Sequence, residues 1–415
     1  MLDALRSVLR FRRLELDSMK RTLAAAANVD DLRRIAKQRL PAGVFDYIDG
    51  GAEDELTMQA NREAFGRYEF CPRVLRDVST VDTRSKLLGD PVAFPLVMAP
   101  TGYTRIAHPD GELAVARAAQ RAGVPYTLST MATRSIEEVA SASGGGRRWF
   151  QVYVWRDRAL VRDMIERAAA AGYQALVITV DTAHLGRRER DIRRGFTMPP
   201  KLGLDTILDG ITHPRWTWRF ARSEPILFAN VATSRFGADH ADGSQAIRLA
   251  EKVSSQFDPS LSWEHIEWFR ALWNGPIVLK GVQTVADARL AVDHGIDAIA
   301  LSNHGGRQLD GAPAIVDLVA PVADEVGGRV EIICDGGVRR GSDIVKALAL
   351  GADACMVGRP YLYGLAAAGE LGVDRVLEWL LEELRRTMAL IGVATISEIT
   401  AGHIRLGGGN ARREL

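Results

Sequence analysis

Residues 276–302, PIVLKGVQTVADARLAVDHGIDAIALS, hold one complete strand–helix–strand unit. The apolar run PIVLK (276–280) is short and β-rich, the stretch 284–295 is amphipathic and long enough to cross back over a sheet, and AIALS (298–302) is again a short apolar strand. Two such strands joined by a helix must lie parallel, because a tight turn can only join antiparallel neighbours.

Working outward, the same rhythm recurs on both sides. Strands are predicted at 94–99 (FPLVMA), 124–129 (VPYTLS), 148–154 (RWFQVYV) and 175–180 (ALVITV) before the unit, and at 330–334 (VEIIC) and 354–357 (ACMV) after it. Helical stretches fall between them at 112–122, 158–171 and 342–350. With the two strands of the opening unit the total is eight, the number that closes a (β/α)8 barrel. One connection breaks the pattern: residues 182–262 form an insertion far longer than an ordinary strand-to-helix loop, expected on the active-site face. Residues 1–30 read as a basic extension and 31–405 as the barrel with a helical lead-in (DLRRIAKQRLP, then FDYIDGGAED). Residues 406–415 read as a flexible tail.

Composition sets outer limits. Hydrophobic residues make up 47% and charged residues 25%, enough for a sizeable core. The formal charge of +1 gives no field for steering toward nucleic acid. Cys71, Cys334 and Cys355 lack metal-ligand spacing and are expected as reduced thiols. The N-terminus lacks the apolar core of a signal peptide, and no run nears the ~20 residues of a membrane span. A cytoplasmic enzyme is expected, with peripheral contact at the inner face of the membrane open. HPRWTWRFARSEPILF (213–228) suits such contact, because it interleaves Trp216, Trp218 and Phe220 with arginines; a lid helix packed on the barrel is the competing reading.

In a barrel of this kind chemistry sits where strands end. Each of the eight ends here in polar or glycine-rich sequence: Thr101-Gly102, Ser129-Thr130, Gln151 with Tyr153, Thr179 with Asp181, Lys280-Gly281, Ser302-Asn303-His304, Asp335-Gly336-Gly337 and Gly358-Arg359. The last two loops, with Arg339 and Arg340, are expected to hold a phosphate, aided by the helix starting near Ser342. His304 is placed to act as a base, Asp181 to orient it, and Arg307 to hold a carboxylate. His108, His294 and His403 read as cap or surface residues. Lys280, at the end of an apolar run, needs an anionic partner; a reduced flavin and a Schiff-base substrate both remain open.

The motifs FDYIDGGAED, APTGY, LST, QVY, TVDT, LGRRERD, VLKGV, SNHGGRQLD, DGGVRRG and VGRP, in that order, resemble the FMN-dependent 2-hydroxy acid oxidizing family, which includes glycolate oxidase, L-lactate dehydrogenases and mandelate dehydrogenase. The resemblance implies that Tyr47, Tyr153, Arg188 and Arg307 bind substrate, with His304 as base and Asp181 its partner. It implies flavin contacts from Thr101, Ser129, Gln151, Thr179, Lys280 and Ser302, and phosphate contacts from Asp335, Gly337, Arg339, Gly358 and Arg359. Three positions depart from the common pattern: Gly102 stands where alanine is frequent, Met131 where an aromatic is, and Thr182-Ala183-His184 where Thr-Pro-Arg is. Gly102 and Met131 line the flavin or substrate space, and Gly102 resembles dehydrogenase members more than oxidases. The roughly 30 residues before the match are too few for a haem domain, so electrons are expected to pass directly from FMN to a quinone or cytochrome. An oxidase using oxygen is the nearest rival and an aldolase using Lys280 a distant one. The resemblance also implies a homotetramer.

Overall fold

The computed structural model describes residues 15–195, 203–232 and 256–407. The first 14 residues of the basic extension, residues 408–415 of the tail and parts of the insertion lie outside them.

All eight predicted strands form: β1 (Leu96–Met98), β2 (Tyr126–Ser129), β3 (Arg148–Tyr153), β4 (Ala175–Thr179), β5 (Ile277–Val282), β6 (Ala298–Ser302), β7 (Glu331–Asp335) and β8 (Ala354–Val357). They close into one barrel in chain order, every pair parallel. The helices Gly111–Ala122, Arg158–Ala170 and Val285–Asp293 fall where sequence period placed them.

Alternation along each strand sorts residues between two cores. Ala175, Val177, Val278, Ala298, Ala300, Ile333, Ala354 and Met356 share a cluster inside the barrel. Their neighbours Leu176, Ile178, Ile277, Leu279, Ile299 and Leu301 belong to the large cluster between strands and helices. Small side chains dominate the interior because eight strands leave room for little more. The same parity carries an inward position near the end of six strands, Ser129, Gln151, Thr179, Lys280, Ser302 and Asp335, to the top of the barrel interior.

The lead-in comprises α1 (Val29–Arg39), α2 (Ala42–Asp49) and α3 (Leu56–Arg67). Asn28 caps α1 by accepting from the Asp31 amide at 2.9 Å. Arg33 of α1 grips the buried carboxylate of Asp49, at the end of α2, through Nε and Nη2 at 2.5 and 2.7 Å, and the Tyr363 hydroxyl donates to the same group at 2.7 Å. Tyr68–Phe70 pairs antiparallel with Ile404–Leu406, tying the lead-in to the C-terminal end.

The described part of the insertion carries α4 (Glu189–Arg193), α5 (Leu204–Thr212) and α6 (Pro214–Arg222). It meets the C-terminal ends of the strands: Phe228 packs edge-on against Tyr103 with centroids 4.7 Å apart, and Asn230 accepts from the Ile136 amide at 2.9 Å. Helix α6 divides its aromatics. Trp216 turns inward, donating to the Ile106 carbonyl at 2.8 Å, whereas Trp218 remains 59% exposed under the Arg222 guanidinium. The segment thus packs one aromatic on the barrel, as a lid helix would, and leaves another exposed.

Candidate active site

The strand ends open into a cleft enclosing about 1270 Å³ of non-atom space, open solvent at its mouth included. Tyr47 of α2, Thr101 and Gly102 after β1, Tyr153 at the end of β3, Arg188 at the start of α4, Lys280 of β5, and His304 and Arg307 after β6 all line it. So do Asp335, Gly337, Arg339, Gly358 and Arg359, at the ends of β7 and β8.

His304 sits in a left-handed backbone conformation (φ 58°), which a non-glycine residue adopts only when its surroundings dictate it. What dictates it is a docked loop. The His304 amide donates to Ser302 Oγ at 3.0 Å, and the Gly306 carbonyl accepts from the Ala52 amide at 2.8 Å. Asn303 and Asn61 of α3 exchange side-chain hydrogen bonds at 2.8 and 3.1 Å. The lead-in therefore holds the His304 loop in place.

The imidazole Nδ1 lies 3.1 and 3.2 Å from the two carboxylate oxygens of Asp181, whose side chain is 3% exposed. Burial alone would raise the Asp181 carboxyl, but His304 and Lys280 outweigh it and hold the group below its ordinary range, so it stays an acceptor. With Nδ1–H donated to Asp181, Nε2 is the ring nitrogen left to take a proton. Gly281 makes this approach possible: at φ 115° it lies against Asp181, and a Cβ there would come within 2.8 Å of the Asp181 Cβ.

Arg307 donates from Nη1 to the carbonyls of Tyr47 and Gly50 at 2.7 and 2.9 Å, which aims its guanidinium. Burial, and then the neighbouring Arg188, push it down to about 10. Arg188 and Arg307 lie 5.6 and 5.1 Å from the centroid of the Tyr47 ring. Arg188 has one acid beside it, Asp191, at 3.3 Å from its Nε; burial raises that carboxyl. Two cations converging on one aromatic wall in a buried cleft form a receptor for a small carboxylate.

The upper interior layer is hydrogen-bonded in two halves. Ser129 Oγ donates to Gln151 Oε1 at 3.1 Å, and Gln151 Nε2 to Thr179 Oγ1 at 2.9 Å. Opposite, Lys280 Nζ lies 3.0 Å from Ser302 Oγ and 2.9 Å from Asp335 Oδ2, while Ser302 donates to Asp335 at 2.7 Å. The anion that Lys280 requires is thus Asp335. Burial works against the ammonium, but Asp335 and Asp181 prevail and raise its pKa, the reverse of what a Schiff-base lysine needs. The Asp335 carboxylate is accordingly turned to Lys280 and Ser302.

At the far end of the cleft, Arg359 donates to the Gly305 and Gly50 carbonyls at 2.9 and 2.8 Å, and Arg339 to the Val338 carbonyl at 2.8 Å. The Nε atoms of both are buried with no partner. Burial lowers the Arg339 pKa, so an anion there would be favoured on both counts. At the helix expected near Ser342, α7 (Gly341–Ala349), the first amide, Gly341, donates to Glu383 at 2.9 Å, and the amides of Arg339 and Arg340 just before it donate to Asp343 at 2.9 Å. Helix α8 (Arg359–Ala368), starting at Gly358 with no side-chain cap, offers the positive end instead. These orphaned donors and this bare helix end fit the phosphate of FMN, and the polar upper layer would offer hydrogen bonds to the rest of the cofactor.

Three contributors went unread in the sequence. Phe257 lines the cleft edge-on to Tyr153 at 5.2 Å, Asn61 supports the His304 loop, and Asp191 faces Arg188. Phe257 lies in the aperiodic insertion, which carries no signal. His108 caps the start of the helix Gly111–Ala122, its Nδ1 accepting from the Asp110 amide at 3.3 Å, and its side chain is 13% exposed because α6 folds over it. His294 ends its helix and His403 sits in a capping box, as expected.

A parallel barrel with a His/Asp pair, two convergent arginines and a phosphate end defines a flavin-dependent oxidoreductase of 2-hydroxy acids. The profile of the FMN-dependent dehydrogenase family matches residues 36–406. A Mycobacterium tuberculosis protein bearing the provisional name L-lactate dehydrogenase is 47% identical over 96% of this chain and 93% of its own. Glycolate oxidase 3 of Oryza sativa subsp. indica is 44% identical over 91% and 95%. The crystal structure of (S)-mandelate dehydrogenase, described as a monotopic membrane protein, superposes with a TM-score of 0.86 at 40% identity, covering 91% of this chain and 99% of that one. The chain belongs to the FMN-dependent dehydrogenase family, and its cofactor is FMN.

Proposed function

We propose that the protein oxidises L-lactate to pyruvate and passes the electrons to a quinone or cytochrome. The observation that carries the reaction class is the His304 Nε2, left free by Asp181, in one cleft with Arg188 and Arg307. Arg307 and Arg188 take the substrate carboxylate, and Tyr47 and Tyr153 flank it. His304 Nε2 accepts a proton from the substrate, and Asp181 stabilises the imidazolium that results. Bound FMN supplies the two-electron acceptor. Lys280, held protonated, would offer positive charge to the bound cofactor. Burial raises the Tyr153 phenol, which therefore acts as a neutral hydrogen-bonding group.

A small substrate is supported by Met131, Leu185 and Phe257 around the cleft and by the provisional name of the mycobacterial relative. Anaerobic mixing with L-lactate is expected to bleach the bound flavin, with D-lactate as control. An intact yellow protein bleached by (S)-mandelate and not by L-lactate would overturn the substrate. Turnover in air with release of hydrogen peroxide, without added acceptor, would overturn the acceptor in favour of an oxidase.

Peripheral membrane contact through 213–228 is the location that suits a quinone acceptor. Trp218 and Phe220 are 59% and 42% exposed, and Leu208 and Ile211 of the preceding helix 62% and 67%. Among the described residues no helix is long and apolar enough to cross a membrane. Replacing Trp218 with Ser is expected to release the protein from floated vesicles without slowing flavin reduction; undiminished flotation would remove the anchor. We expect a homotetramer, to be checked by light scattering.

A further inference from the structure

A second cavity lies outside the catalytic cleft, between the end of α1, the turn at 105–109 and α6. Arg39, Arg105, His108, Arg215, Trp216 and Arg219 line it. Three parts of the chain far apart in sequence thus bring four guanidinium groups and the imidazoles of His108 and His213 to one hollow.

The hollow is built. Trp216 latches α6 to the turn through the Ile106 carbonyl at 2.8 Å, and it stacks on Phe220 with centroids 4.7 Å apart. Arg105, 4% exposed, is braced by the Glu224 and Pro225 carbonyls at 2.7 and 3.4 Å. Arg39 is fixed by the Thr22 hydroxyl at 2.6 Å and the Ala367 carbonyl, and Arg219 Nη1 lies 3.2 Å from His108 Nε2.

Countercharge is limited, and at Arg105 it comes from Glu224, Glu112 and Glu138. Asp110 lies 3.4 Å from His108, Asp209 is engaged by His213 at 3.2 Å, and Glu224 by Arg134 at 2.8 Å. Among the described residues, none of the four arginines forms an ion pair. Their mutual repulsion registers locally: burial, then Arg215 and Arg219, lower the Arg39 pKa, and burial with Arg219 and Arg39 lowers that of His108 against the pull of Asp110. A bound anion would relieve this repulsion and would meet guanidinium forks suited to several oxygens at once.

We propose that this cavity binds a phosphate-class oxyanion, with the Trp216–Phe220 stack beside it accepting an apolar substituent. A soluble phosphate and a phospholipid headgroup present the same chemistry, and Phe220, which lines the hollow, is 42% exposed, so either source can reach it. The inference goes beyond the oxidation, since neither Arg215 nor Arg219 reaches the catalytic cleft.

The test uses the FMN-loaded enzyme, so that the flavin phosphate site is filled, and the double variant Arg215→Ala/Arg219→Ala. Inorganic phosphate is titrated calorimetrically, and capture is measured on vesicles of phosphatidylcholine with and without phosphatidylglycerol. Phosphate binding that weakens roughly tenfold or more in the variant, the scale of a lost hydrogen bond to a charged group, supports the site with a soluble ligand. Capture that needs phosphatidylglycerol, is reversed by phosphate and is lost in the variant supports it with a lipid ligand. Unchanged reduction of the flavin by substrate in the variant shows that the barrel is intact. Absence of both phosphate binding and phosphatidylglycerol-dependent capture, or binding equal in the variant, overturns the proposal.

Discussion

His304 works through two bonds that do different things: its amide to Ser302 sets the backbone, and its Nδ1 to Asp181 sets the ring. Substitution by Gln removes the second and leaves the first available. His304→Gln is therefore expected to keep its flavin and its yellow colour, while anaerobic reduction by substrate slows by roughly 10²–10⁴, the usual contribution of a positioned base. Stopped-flow absorbance measures both in one experiment, and reduction at the normal rate would remove His304 from the chemistry. Asp181, Lys280, His304 and Arg307 were legible in the chain because strand ends are local properties, whereas Tyr47 and Arg188 were reached only through the family resemblance. Which bonds these residues make was less legible. Lys280 left open a Schiff base or a reduced flavin, and only the folded barrel brings Asp335, 55 positions later, to 2.9 Å from it.

At the scale of elements, the lead-in helices decide whether the strand-end residues form a site. Helix α2 brings Tyr47 to the cleft, and its end is locked by Arg33 and Tyr363 on Asp49. Burial would raise the Asp49 carboxyl, but the bonds from Arg33 and Tyr363 outweigh it and hold it at about 2, against an ordinary 3.8. A depressed carboxyl stabilises the fold above its unfolded pKa and loses that stabilisation as pH falls through the folded value. The contribution, about 2 kcal/mol by the usual conversion, is thus full at neutral pH and disappears between roughly pH 4 and 2. Urea melts of the FMN-loaded protein are expected to show wild type more stable than Asp49→Asn near pH 6, with the gap narrowing steadily below pH 4. A gap independent of pH would mean that packing of α2, and not the ion pair, is responsible. Sequence period located α1 and the strands, but the insertion helices showed no comparable rhythm. Helix α6 divides its aromatics between barrel and solvent, which periodicity alone does not resolve.

For the whole molecule, cofactor and fold are coupled. Arg307, Arg339 and Arg359 converge on one cleft, and the Nε atoms of the last two are buried without partners. An anion binding only the folded state stabilises it by mass action, about 2.7 kcal/mol at a hundredfold excess over Kd. Removing FMN is expected to lower the Tm by several degrees and adding it back to restore the Tm, by differential scanning calorimetry. An apoprotein as stable as the holoprotein would show the cations to be satisfied without the phosphate. The chain by itself determined the closed parallel barrel, the inward layer from Ser129 to Asp335 and the cluster of polar strand ends, because alternation and helical period are written over a few residues at a time. Tertiary structure alone decided that α8 and not α7 presents the open helix end, that His108 is covered, that Phe257 closes the cleft, and that Arg39, Arg105, Arg215 and Arg219 share a hollow. Those outcomes depend on contacts between segments separated by up to some hundreds of residues, and such contacts exist only after the barrel has closed and brought its loops to one face.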